Sequence, residues 1–151
     1  MRDSVTLHMD APAQRVWELV SDVTRIGTFS PETFEAEWLD GASGPAVGAR
    51  FRGHVRRNGW GPIYWTTCTV LESEPGRVFS FGVGSADRPL NVWGYRLEEK
   101  GEGVDVTESF ALRSTLGLRL YWALWGWSRG RVNRRGMRTT LERIKAVVEA
   151  E

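Results

Sequence analysis

The chain predicts an α+β domain in which a strongly curved, seven-stranded antiparallel sheet wraps around one long C-terminal helix. Three observations carry that expectation. Most of the chain consists of short segments that alternate apolar and polar residues and are joined by close turns. Two short helical patterns follow the first of these segments. The last apolar repeat, Met137, Leu141, Ile144 and Val148, is spaced by four, three and four residues, which is helical.

The elements follow in order. Ser4–Met9 alternates, with Val5, Leu7 and Met9 on one face and Thr6 and His8 on the other, as a strand does. In "DAPAQRVWELV" Asp10 can cap a helix, Pro12 suits its first turn, and Ala13, Val16, Trp17 and Val20 form one apolar stripe. "SDVTRIGTFSP" reads as a second short helix, opened by Ser21 or Asp22 and stopped near Pro31. Phe34–Leu39 is the next strand, closed by the turn "DGASGPAVG". Arg50–Arg57 follows, with Phe51, Gly53 and Val55 facing one way, and "RNGWGP" turns it into the long strand Ile63–Ser73. "SEPGR" leads to Val78–Val83, "GSADRP" to Asn91–Glu98 and "EKGEG" to Val104–Leu112. Successive strands with short turns pair as an antiparallel meander. No repeat, low-complexity tract or linker divides residues 1–151, so a single domain is expected.

Composition narrows the function classes. Twenty Lys and Arg against nineteen Asp and Glu give a formal charge of +1, too balanced for a general nucleic-acid binder. A single cysteine, Cys68, excludes an internal disulfide, and no Cys/His cluster has zinc spacing. "GASGPAVG" follows a strand but leads into another strand, unlike a phosphate loop. Neither a metal nor a cofactor is therefore expected. The N-terminal "MRDSVTLHMD" lacks the apolar core of a signal peptide, and no apolar run approaches the ~20 residues that span a bilayer. A cytoplasmic location is the resulting expectation.

Several short motifs then agree in order and spacing. "APAQRVWELVSDVTRIGTFSPE", "GARFRG", "WTTCTVLESEPGRVFSF", "WGYRLE" and "VDVTESF" resemble the polyketide cyclase/dehydrase group of the START-like, or SRPBCC, superfamily. The resemblance runs from about Ser4 to Val148. It implies the helix-grip fold, a single START-like ligand-binding domain with the ligand held between the sheet and the C-terminal helix. The superfamily contains aromatase/cyclases as well as lipid and hormone binders, so the site itself must carry the functional argument.

Alternation assigns the cavity face. Trp93, Tyr95 and Leu97 share a side, as do Phe79, Phe81 and Val83, and each set is expected inward. Phe51 is expected inward with Gly53 and Val55. The fourth strand is ambiguous, and the set Tyr64, Thr66, Cys68 and Val70 is favoured inward over Trp65, Thr67, Thr69 and Leu71. In the seventh strand Val104, Val106, Glu108 and Phe110 face inward. Glu108 is the sharpest candidate, because a carboxylate on an apolar face costs several kcal/mol unless paired, hydrated or protonated. It reads as a ligand anchor or a general acid/base, or else as a residue at a solvated cavity mouth or bonded to a cation such as Arg134. Tyr64 and Tyr95 can supply phenolic donors, and either could serve as a buried aromatic instead. His8 and His54 alternate against the apolar positions and should face outward, which argues against histidine chemistry. On the C-terminal helix the apolar stripe turns Asn133 inward with Met137 and Leu141, and sets Arg134 at its edge.

"LYWALWGW", residues 120–127, departs from the generic pattern. It either extends the C-terminal helix forward or forms a separate lid. Core or dimer contact, an interfacial membrane segment and a cavity wall all stay open, and its place directly before the helix favours a lid whose Trp122 and Trp125 touch ligand. The oligomeric state is left open. The expected function is to bind a hydrophobic, aromatic or lipid-like small molecule. The alternative is a polyketide cyclase, aromatase or dehydrase using the same cavity, with Glu108, Tyr64 and Tyr95 as its candidate catalytic groups.

Overall fold

A computed structural model describes residues 2–56, 62–112 and 116–150, with side chains described throughout except at 116–132. The first strand, β1 (Arg2–Met9), leads to helix α1 (Ala13–Ser21) and a short 3₁₀ helix (Val23–Thr28). Six strands follow: β2 (Thr33–Trp38), β3 (Arg50–Arg56), β4 (Ile63–Glu74), β5 (Val78–Gly84), β6 (Pro89–Lys100) and β7 (Gly103–Leu112). Helix α2 (Leu116–Ala150) ends the chain. All seven strands form one antiparallel sheet in the order β1-β7-β6-β5-β4-β3-β2. The meander from β2 to β7 is sequential, and β1 closes the far edge beside β7. This is the predicted helix-grip architecture.

The helical boundaries differ instructively from the expectation. Asp10 does not cap α1. Pro12 occupies the cap position without a side-chain hydrogen bond, and the Asp10 backbone N–H donates instead to Glu149 Oε1 at 2.8 Å, tying β1 to the end of α2. Asp22 does cap the second helix, accepting from Thr24 N at 3.1 Å, but that segment is tightened to 3₁₀ and ends at Thr28. Gly27 allows the 3₁₀ turn to lie directly on β2, since a Cβ there would sit 2.2 Å from the Phe34 carbonyl oxygen. The segment "LYWALWGW" is continuous with α2 and is not a separate lid, because the helix begins at Leu116.

The core fills the concave side of the sheet. Val16, Leu19 and Val20 of α1 meet Leu141, Ile144 and Val148 of α2 and Met9, Val104 and Val106 of the sheet. Trp17 pins α1 onto β5 by donating its indole N–H to the Val78 carbonyl at 2.8 Å. The buried α2 positions Asn133, Met137, Thr140, Leu141, Ile144 and Val148 fall on one stripe, as the apolar repeat requires. Among the described residues no helix is long and apolar enough to cross a membrane.

Candidate functional site

Strand register arranges the concave face into rows, because residues opposite one another across a ladder share a side. One row runs Val5, Glu108, Tyr95 and Phe79. The next runs Asp3, Phe110, Trp93, Phe81 and Val70. The third runs Leu112, Asn91, Val83, Cys68 and Phe51. In the first row Glu108, Tyr95 and Phe79 are 4%, 6% and 1% exposed, so that row is covered. In the second and third rows Phe81, Trp93, Asn91 and Val83 are only half-buried. The concave face is therefore closed at one level and only partly covered at the next, where Phe81 and Trp93 are the half-buried aromatics.

Glu108 is the chemical centre of the covered row. The β7 pleat sends it inward between Val106 and Phe110, and its neighbours across the ladders are Val5 and Tyr95. Tyr95 donates its hydroxyl to Glu108 Oε1 at 3.3 Å. Glu108 Oε2 is buried and has no hydrogen-bond partner among the described residues. Burial pushes the Glu108 carboxyl up to about 8, against a smaller downward pull from the Tyr95 hydroxyl. Burial and the adjacent carboxylate hold the Tyr95 phenol well above its usual range. At neutral pH Glu108 is thus mainly a neutral acid, with a proton to donate and an oxygen to accept.

Among the described residues no cation is paired with this carboxyl. Arg134 turns to Asp3 instead, with Nε 3.5 Å from Oδ2, and its own side chain is largely exposed. Asn133, Met137 and Leu141 are buried on the sheet side of α2. Phe51 is fully buried, packed edge-on against Phe81 at 5.2 Å between ring centroids, and Trp93 lies 4.6 Å from Phe110. Burial of Cys68 and Val70 identifies the inward face of β4, and it is the favoured set. Near the start of that strand the cover gives out: Thr66 is half-buried and Tyr64 is 38% exposed, far from the Glu108–Tyr95 pair. Burial also raises the Cys68 thiol to about 12, which keeps it a protonated, unreactive packing group. The Trp122 and Trp125 side chains lie outside the described residues.

Both histidines sit on the outer face. His8 Nδ1 is 2.7 Å from Asp105, and His54 stacks on Trp65 at 4.1 Å while meeting Glu35 at 2.7 Å. Among the described residues no group of three or more His, Cys, Asp or Glu side chains could hold a metal ion.

Two polar residues of the concave face escape the sequence reading. Asp3 continues the Val5, Leu7, Met9 alternation by one step, but the strand was expected to begin at Ser4. Asn91 continues the Trp93, Tyr95, Leu97 alternation, and its Oδ1 is buried without a partner among the described residues. In both cases alternation alone, extended two residues outward, would have found the residue.

The family described as "Polyketide cyclase / dehydrase and lipid transport" matches residues 2–149. A polyketide-cyclase-like protein of Corynebacterium glutamicum, solved by NMR, is 28% identical over 99% of this chain and 93% of that one, with a TM-score of 0.60. The di-domain ARO/CYC protein BexL of the BE-7585A biosynthetic pathway is 21% identical over 99% of this chain and 46% of its own, with a TM-score of 0.72. A crystal structure from Nitrosomonas europaea gives 15% identity, 99% and 95% coverage and a TM-score of 0.70. The last two likenesses are of fold. No curated protein sequence matches this chain.

Proposed function

This chain belongs to the polyketide cyclase/dehydrase and lipid transport family, and from that premise we propose that it holds a hydrophobic small molecule, aromatic or lipid-like, between the concave sheet face and α2. The observation that carries the reading is Glu108, a carboxyl in an apolar face with one oxygen unpartnered among the described residues. Leaving such a group unsatisfied costs about 1–3 kcal/mol, which a ligand's polar group offsets. Half-buried Trp93 and Phe81 lie in the next row, where they supply an apolar wall. Polar anchor and aromatic wall together are the usual make-up of a small-molecule site.

A second reading, a cyclase or dehydrase, is supported by the same pair. A carboxyl titrating at about 8 is suited to give and take protons near neutral pH. Tyr95, bonded to it, would orient that proton, and a pocket that folds a reactive chain needs little further chemistry.

Two variants separate the readings. Glu108→Leu removes the anchor and should weaken binding of an oxygenated aromatic probe about tenfold, measured by tryptophan fluorescence, without lowering stability. Glu108→Gln keeps a hydrogen-bonding group but cannot shuttle a proton. A cyclase therefore predicts turnover of a poly-β-ketone surrogate by the wild type, lost in Glu108→Gln with affinity retained. Absence of saturable binding of every hydrophobic probe overturns the binding function.

A further inference from the structure

The concave face holds two buried polar atoms without partners among the described residues, Glu108 Oε2 and Asn91 Oδ1. They lie at opposite ends of an aromatic strip. Asn91 and Tyr95 point to the same side of β6, four residues apart, and Glu108 is the cross-strand neighbour of Tyr95. At ~3.3 Å per residue the two levels are about 13 Å apart. Between them lies the row of Phe81, Trp93 and Phe110, with Trp93 and Phe81 incompletely covered.

We propose that the ligand is a flat, elongated, fused-ring molecule with a hydrogen-bonding oxygen at each end, one bound at Glu108 and the other donating its O–H to Asn91 Oδ1. This rests on the ligand-binding reading above and adds the class of molecule. An amide oxygen only accepts, so the Asn91 end of the ligand must carry a donor. Allowing ~3 Å for each hydrogen bond, the ligand's terminal oxygens are separated by about 7–13 Å. Rings are favoured in the middle because the strip is aromatic, and stacked or edge-on ring contacts add to simple burial. A one-headed lipid would satisfy Glu108 but bury Asn91 Oδ1 against hydrocarbon, which is the unfavourable arrangement.

The test uses the full-length protein and four probes: an anthraquinone hydroxylated on its two opposite outer rings, the dimethyl ether of that compound, unsubstituted anthraquinone, and the dye anilinonaphthalene sulfonate. Affinities are read by quenching of tryptophan fluorescence. The dihydroxy compound should bind wild type about tenfold more tightly than its dimethyl ether or the parent ring. In Asn91→Leu that preference should shrink to a few-fold, with the parent ring bound at least as tightly as by wild type, because no amide oxygen is then buried against it. Equal affinity of wild type for all three ring compounds overturns the two-ended ligand, and this arm needs no variant to fold. Loss of affinity for every ring compound alike in Asn91→Leu overturns it too. Binding of the dye with none of the ring compounds also overturns it, while leaving the binding function standing. Failure of all four probes overturns the binding function itself.

Discussion

Strand β7 carries two acids three residues apart, Asp105 and Glu108, and they meet opposite fates. Asp105 points outward, where His8 Nδ1 lies 2.7 Å away and part of its side chain reaches solvent. Glu108 points inward, where among the described residues it has one long hydrogen bond from Tyr95 and an oxygen without a partner. The residue types are nearly the same, and the pleat alone separates them. The outer face of the sheet satisfies its polar groups locally: Thr6 with Thr107, His54 with Glu35, Arg52 with Glu37. On the concave face Asp3 meets Arg134 and Tyr95 meets Glu108, but Glu108 Oε2 and Asn91 Oδ1 have no partner among the described residues. That contrast supports the proposal that the concave face meets a small molecule.

The comparison is broken most severely by moving a carboxylate from the satisfied face to the unfinished one. Val106 is fully buried between Leu7 and Leu97, two residues from Glu108 on the same side. Val106→Asp places a second carboxyl there without a cation, and should cost roughly 4 kcal/mol or more in urea unfolding, enough to abolish folding of a marginal domain.

A milder change sharpens the contrast by titration. The folded-state value of Glu108 is about 8, above its ordinary value of 4.5, so the native protein binds this proton more tightly than the unfolded chain. The resulting contribution favours folding of the protonated form, and is progressively lost as pH rises from about 4.5 to about 8. Stability should therefore fall by a few kcal/mol across that window in wild type. In Glu108→Gln this component of the slope should vanish, leaving the variant more stable than wild type at pH 9 by urea unfolding. Identical pH profiles for the two proteins would show that Glu108 is not desolvated in the native state.

The smallest effect belongs to the outer acid. The His8–Asp105 pair is partly exposed, with side chains 46% and 28% accessible, so water already screens it. Asp105→Asn should cost less than ~1 kcal/mol, and less still at high salt. A loss rivalling that of Val106→Asp would mean that the two faces of β7 differ less than their surroundings indicate.

Much of this was legible in the residues. Alternation placed Phe51, Phe81, Trp93, Tyr95, Glu108 and Phe110 on one side, and the register sets them in adjacent rows. It failed at element ends. Asp3 lies outside the expected strand because β1 begins at Arg2 and not at Ser4, whereas Asn91 opens the expected sixth strand but is polar and so falls outside the apolar set assigned inward. Asp10 looked like a cap because acids commonly cap helices, but its backbone amide is held by Glu149 from 139 positions away. Tyr64 shares the inward side yet lies beyond the cover, since periodicity gives the side of a strand and not where the opposing layer stops.

The sequence by itself determined the number and order of strands, the long final helix and the side on which each strand residue lies. These are local properties, set by a period of two or of about 3.6 along the chain. Tertiary structure alone decided how those sides are covered. It paired Tyr95 with Glu108, turned Arg134 to Asp3, and closed one row of the concave face while leaving the next half open. Which polar atom finds a partner depends on strand register and on where α2 lies along β1, and both are contacts between residues distant in the chain. No local period encodes them, and for that reason the unfinished hydrogen bonds of Glu108 and Asn91 emerge only in the folded molecule.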